Sequence, residues 1–421
     1  MSTSPAGFLF RIILAALMLS SAPAVQADEQ ADKIKKALKA LLEDEEGDEK
    51  KAAGKKGKAP KIFEPAPGAE FSFVPFSEIG KDIYPSIAIS LATVEVEEGP
   101  GDPSDATVYG DKGGSIGVLL RNVRKGDRFV VEISADAGFR PSKTSFVIKD
   151  SEVLVAAFPK IRYDFDALAR NRQNRPINVT FKVTRNDKVL DEVDETWTLR
   201  QINDCPLSGV LACPKRNGKV VDEPLDEFSY VFAAFVNENH PWVDLILKEA
   251  KDSGSFKSFH GYQGTEDDVM KQVGAIWTAL QRRNITYTSI ADTVGSKRIS
   301  AQHVRFLDES ISSTQANCVD GSVMIASVLR KLGIHTYLVL VPGHCYVAFA
   351  LDEEGENIVG LETTMLGSKA NVRAAVKEGT SNPEHGLHPN IEKFLTDDPS
   401  WVLIDVNAAR EAGISPLPYV K

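Results

Sequence analysis

Ala316-Asn317-Cys318-Val319-Asp320-Gly321-Ser322-Val323 runs into an apolar stretch that stops at Leu332-Gly333-Ile334. The spacing predicts a mostly buried helix, and Gly333 is a natural stop because glycine tolerates the left-handed conformation that ends many helices. Cys318 then stands at or just before the first turn. Unpaired backbone N–H groups and the helix dipole favour an anion at such a place, a thiolate included. The same N–H groups suit the oxyanion of a tetrahedral intermediate.

Beyond Gly333 the pattern continues as a strand from Thr336 to Val341, a Pro342-Gly343 corner, and a second strand, His344-Cys345-Tyr346-Val347-Ala348-Phe349-Ala350-Leu351. Alternation puts His344 on one face with Tyr346, Ala348 and Ala350, and Cys345 on the more apolar face with Val347, Phe349 and Leu351. If His344 faces Cys318, Cys345 is expected to face away from it. The loop Asp352 to Asn357 returns the chain through Ile358-Val359-Gly360-Leu361-Glu362-Thr363-Thr364. An antiparallel register with Tyr346 opposite Glu362 makes that carboxylate the diagonal neighbour of His344. A slip of one residue turns it away. Asp405, in Leu403-Ile404-Asp405-Val406 on another expected strand, is the rival acid.

Around this centre, Pro241 to Ala250, Glu266 to Arg283 and Asp320 to Leu332 have helical spacing, while Tyr337 to Val341, Cys345 to Leu351 and Trp401 to Val406 read as strands, an α+β pattern over 225–421. Between 68 and 203 the texture differs. Ser86 to Val96, Gly114 to Asn122, Arg128 to Ala135, Thr144 to Ile148, Glu152 to Phe158, Ile177 to Arg185 and Glu195 to Gln201 are short β-rich runs bounded by turn formers, which predicts an all-β sandwich. With no convergent polar cluster there, this half reads as a binding or spacing module. Residues 204–224 form a turn-rich linker in which a Cys205–Cys213 bridge is expected. A zinc site is the competing use of these two cysteines, but the second ligand pair of a structural site is missing.

The N-terminus bounds the compartment. Arg11, the apolar run Ile12 to Leu19 and the small residues ending in Val25-Gln26-Ala27 read as a signal peptide over 1–27, cleaved after Ala27. Residues 28–67 are a charged flexible tether, too poor in apolar surface to pack. A periplasmic or secreted protein without a membrane span in the mature chain is expected. The net charge of -10 argues against a general nucleic-acid binder, which needs a basic face.

Cysteine at a helix start, histidine on a strand and an acid on the next strand is an order that resembles the transglutaminase-like superfamily, with its papain-like cysteine-protease fold. The resemblance spans about Gln281 to Gly367 and rests on Asn317-Cys318-Val319-Asp320-Gly321, Leu329-Arg330-Lys331-Leu332-Gly333-Ile334, Pro342-Gly343-His344 and Leu361-Glu362-Thr363-Thr364, with Ile285-Thr286-Tyr287 upstream. It implies a papain-like fold for the C-terminal half, so the chain is expected as an N-terminal all-β sandwich followed by an α+β papain-like domain. It implies acyl transfer or hydrolysis on a peptide or protein substrate through a thioester, without metal or organic cofactor. Cys318 would be the nucleophile, His344 the base, and Glu362 the group that fixes the imidazole tautomer. The family usually carries aspartate in the third place, so Glu362 departs from the pattern and Asp405 stays in contention.

Plainer roles compete at each position. Free cysteine is among the most buried residue types, a lone histidine is more often a core residue than a base, and Glu362 can bond its neighbouring threonines. Asp320 reads as a first-turn helix residue. A Cys318–Cys345 disulfide would leave a non-catalytic binding or scaffold protein. Phe235 to Trp242 and Gly261-Tyr262-Gln263 read as capping and packing segments, and Gln302 and Gln315 are candidate oxyanion donors. The order and spacing of Cys318, His344 and Glu362 together favour a catalytic site.

Overall fold

Period-two alternation between 72 and 199 produces two facing sheets. One has the strand order Ser72–Ser77, Ile116–Val123, Glu152–Phe158, Thr107–Gly110. The other runs Asp82–Ile83, Lys188–Leu199, Arg175–Arg185, Arg128–Ala135, Ser142–Val147. Phe129, Val131 and Ile133 point inward from alternate positions of one strand and meet Val118, Leu120, Val155, Phe181 and Trp197 in a single core. The arrangement is sandwich-like. The computed structural model describes residues 63–94, 102–225, 228–252, 258–288, 295–396 and 398–420. The expected signal segment 1–27 and the tether up to residue 62 lie outside the described residues.

The expected strand from Ser86 is a helical turn instead, Pro85–Ser90. Pro85 occupies its first turn, where the fixed φ of proline suits a helix start and its missing N–H costs nothing. Among the strands that went unrecognised are Ser72–Ser77, interrupted by Pro75, and Thr107–Gly110, only four residues long.

The cysteine segment is neither a loop nor bridged. Asp204–Pro214 is a continuous strand, paired on one side with Val220–Leu225 and on the other with Ile299–His303. Cys205 and Cys213 are both free. Eight steps along extended chain place their Cα atoms on the order of 25 Å apart, against the roughly 7 Å that a disulfide spans. Tryptic peptides carrying Cys205 and Cys213 are expected to alkylate fully without prior reduction, read by mass spectrometry. Ala212 packs onto Leu119, Leu154 and Phe158 of the first sheet, so this strand knits the two halves of the chain together.

Glu78 lies at that seam, its carbonyl accepting from Ala212 N–H at 2.8 Å. Burial pushes its carboxyl from the usual 4.5 up to about 7. A carboxyl raised on folding costs stability above its unfolded value, and the cost grows as pH rises from about 4.5 to 7. Glu78→Gln is therefore expected to stabilise the protein at pH 8 by about 3 kcal/mol. In urea melts, the difference should vanish near pH 4.

In the C-terminal half, a four-stranded antiparallel sheet has the order Ile358–Leu361, His344–Ala350, Thr336–Val341, Val402–Asp405. Leu338, Val347, Phe349 and Ile404 face a large core shared with the helices Pro241–Asp252, Glu266–Arg282 and Cys318–Lys331. Tyr337, Val339, Tyr346 and Ala348 face a smaller core with Leu387, Phe394 and Trp401. The chain is thus mixed α/β and β-rich, with several sheets. No helix among the described residues is long and apolar enough to cross a membrane. The segments expected to cap and pack do so: Phe235 is buried, and the Tyr262 hydroxyl accepts from His335 N–H while donating to the Ala350 carbonyl.

Candidate active site

Cys318 is the first residue of its helix, held there by a reciprocal cap. The Asn317 side chain accepts from Asp320 N–H at 2.8 Å, and the Asp320 carboxylate accepts from Asn317 N–H at 3.1 Å. Asp320 also accepts from the backbone and guanidinium of Arg305, at 2.8 and 3.3 Å. It is almost wholly buried, and burial outweighs these donors to raise its carboxyl above the ordinary range. Asp320 is thus a structural anchor, in line with the first-turn role expected of it. The N–H groups of Cys318 and Val319 are outside the two cap bonds and sit nearest the sulfur in sequence.

His344 opens its strand, and its ring meets the acid that the sequence nominated. Its Nε2 lies 2.7 Å from Glu362 Oε2, and Cys318 is close enough to act on its titration. With Nε2 engaged by the carboxylate, Nδ1 is the nitrogen left for the thiol. Burial by itself would lower the imidazole pKa, but the hydrogen bonds and charges of Cys318 and Glu362 win and raise it from 6.5 to about 10. The ring therefore keeps its proton across the neutral range.

The register that decides Glu362 is the expected one. Val347 pairs with Leu361 and Ala348 with Gly360, so one step further Tyr346 stands opposite Glu362. Glu362 Oε1 accepts from the backbone and hydroxyl of Thr364, at 2.9 and 2.6 Å, which leaves Oε2 for His344. Desolvation pulls its pKa up, yet His344 and Thr364 prevail and hold it below 4.5. Both plain and sharp roles coexist here: the glutamate bonds a threonine and the histidine at once.

Asp405 belongs elsewhere. Its carboxylate meets His335 Nε2 at 2.9 Å and caps the helix Val406–Glu411 through Asn407 and Ala408 N–H. Cys345 corrects a second expectation. Alternation does separate it from the Tyr346 face, but the cysteine helix covers Cys345's own face, so the thiol lies beneath that helix, near Ser322, one turn on from Cys318. Burial raises the Cys345 thiol pKa, and Cys318 and Cys345 are both free. His344 reaches Cys318 because it stands at the strand's end. Of the glutamines, Gln302 donates to the His303 carbonyl, and Gln315 pairs with Thr286 in a short parallel ladder.

An open cleft of about 730 Å³ fronts the site, lined by Tyr287, His344, Glu362, Glu378, His385 and Trp401 among others. His385 is the residue sequence reasoning missed. It follows His344 by 41 positions in the turn Asn382-Pro383-Glu384-His385-Gly386, where no periodicity marks it. Its ring sits edge-on to that of His344, centroids 5.4 Å apart, and its Nε2 lies 3.8 Å from Glu362 Oε2. No protein-family model and no curated protein matches the chain.

Proposed function

We propose that the chain is a thiol-dependent acyl-transfer or hydrolytic enzyme acting on peptide or amide substrates, built on a papain-like, transglutaminase-like C-terminal half. The observation that carries this is the single imidazole of His344, bonded to Glu362 and close enough to Cys318 for the thiol to act on its titration. A thiolate paired with an imidazolium is poised to attack a carbonyl, and the imidazolium then gives its proton to the leaving group. Glu362 fixes the ring orientation and supports its charge. Water as acceptor completes hydrolysis, and an amine completes transfer. Export through a cleaved signal peptide belongs to the same proposal.

The acid assignment has its own test. Glu362→Gln is expected to slow turnover of an activated ester by about 10²- to 10⁴-fold, because the amide supports neither tautomer nor charge. Asp405→Asn should leave that rate within about threefold, while lowering stability by about 1–3 kcal/mol through lost bonds to His335 and the helix cap. Equal losses of rate in both variants would sink the assignment of Glu362.

A further inference from the structure

His344, Glu362 and His385 come from three separate places in the chain and present ligand atoms that all lie within 4.8 Å of one another. All three line the open cleft, so an ion has a path to them. We propose that they form a zinc site whose occupation ties up His344 Nε2 and stops the ring from relaying protons for Cys318. The regulatory half of this rests on the Cys318–His344 pairing proposed above; the binding half does not.

Two imidazoles and one carboxylate are a donor set zinc takes in three-ligand sites, with a fourth position left open. Zinc bonds of about 2.0–2.1 Å at tetrahedral angles put donor atoms roughly 3.4 Å apart. The separations here bracket that value: 2.7 Å between His344 Nε2 and Glu362 Oε2, and 3.8 Å between His385 Nε2 and the same oxygen. The ion has to open the first contact slightly and close the second. His385 sits in a turn rather than in a sheet or helix, so the second adjustment falls on the more yielding element. Its backbone is still positioned, since Tyr346 hydroxyl donates to the His385 carbonyl at 2.8 Å. Thr364 holds Glu362 through its other oxygen, as second-shell partners do in metal sites. Glu378 Oε1 lies 3.9 Å from His385 Nε2, on the same cleft wall, and can fill the fourth position in place of solvent.

The balance is simple. Zn²⁺ takes the lone pair of His344 Nε2, and the proton that nitrogen carried leaves to solvent. The Nε2 hydrogen bond to Glu362 is replaced by two bonds to the metal. The ring is left with one proton, on the Nδ1 that faces Cys318, and giving it up would make a metal-bound imidazolate, so the ring no longer relays protons for acyl transfer.

The test uses the purified protein, freed of metal with chelator and titrated with zinc sulfate alone by calorimetry. One equivalent of zinc should bind, and His385→Ala should weaken that binding at least tenfold, with folding checked by circular dichroism and His385→Gln as a second variant. In parallel, steady-state turnover of an activated ester is measured with and without saturating zinc. Wild type should slow at least tenfold on zinc and recover with chelator, whereas the zinc-to-chelator ratio in His385→Ala should stay near one. No saturable zinc binding, or equal affinity in both His385 variants and wild type, overturns the site. Tight zinc binding with an unchanged turnover overturns the switch. If instead His344→Ala leaves the zinc-free turnover unchanged, the pairing proposed above fails, while the calorimetry still decides the metal site.

Discussion

Cys318→Ala is expected to abolish the stoichiometric burst of phenol that the wild-type protein releases when mixed with an activated aryl ester. The burst reports an acyl group transferred to sulfur faster than the thioester is resolved. Steady-state turnover should fall by about 10⁴-fold or more, leaving only what binding and backbone donors contribute. His344→Ala should cost a comparable factor, and the double variant little beyond it, because groups that act as a unit lose their effect together. Mass spectrometry of the quenched reaction should find the acyl group on the peptide containing Cys318. Acylation elsewhere, or a burst that survives in Cys318→Ala, refutes the thioester. Circular dichroism guards the comparison, since the sulfur is only partly buried and its loss should leave the helix intact.

Gly360→Ala carries the largest expected effect on folding, about 3 kcal/mol. A methyl on Gly360 would meet the backbone of Gly379, with the carbonyl carbon 2.5 Å away, and one on Gly379 would lie 2.7 Å from the Gly360 carbonyl carbon. Neither neighbour is a side chain that can swing aside. The two glycines let the helix Val372–Ser381 rest directly on the edge strand Ile358–Leu361, backbone to backbone. Thr380 then accepts from Gly360 N–H at 3.0 Å, and Glu362 N–H donates to the Ala375 carbonyl at 3.0 Å. The helix thereby does for this strand what another strand would do, and it sets the position of Glu362. The urea midpoint of Gly360→Ala should fall with an unchanged slope, and its ester turnover should fall as well because Glu362 moves. A midpoint within error of wild type would refute the close packing.

The candidate site was legible from the sequence because it sits on regular elements. A helix start, a strand of period two and a short return loop leave few arrangements for Cys318, His344 and Glu362, and the pairing of Val347 with Leu361 is the one that alternation required. Choosing Glu362 over Asp405 needed tertiary contacts, since both acids end strands and both carry local caps. Alternation also put Cys345 on the apolar face without saying which face the cysteine helix covers. His385 was invisible because a turn has no period. The segment around Cys205 and Cys213 misled for a physical reason: Pro206 and Gly209 are turn formers, yet pairing with Ile299–His303, some ninety residues away, holds them extended. Local composition carries no trace of that partner.

That distant pairing means the molecule has no waist at which it can be cut. A fragment beginning at residue 226 would keep the helix of Cys318 and the strand of His344, but Ile299–His303 would lose the neighbour that pairs with it. Its bare N–H and C=O groups would offer a template to any other copy, the usual route to edge-to-edge aggregation. Transplanting this candidate site onto another scaffold, or expressing it alone, therefore requires the chain from Asp204 onward, with polar residues on the face around Ala212 that the first sheet now covers.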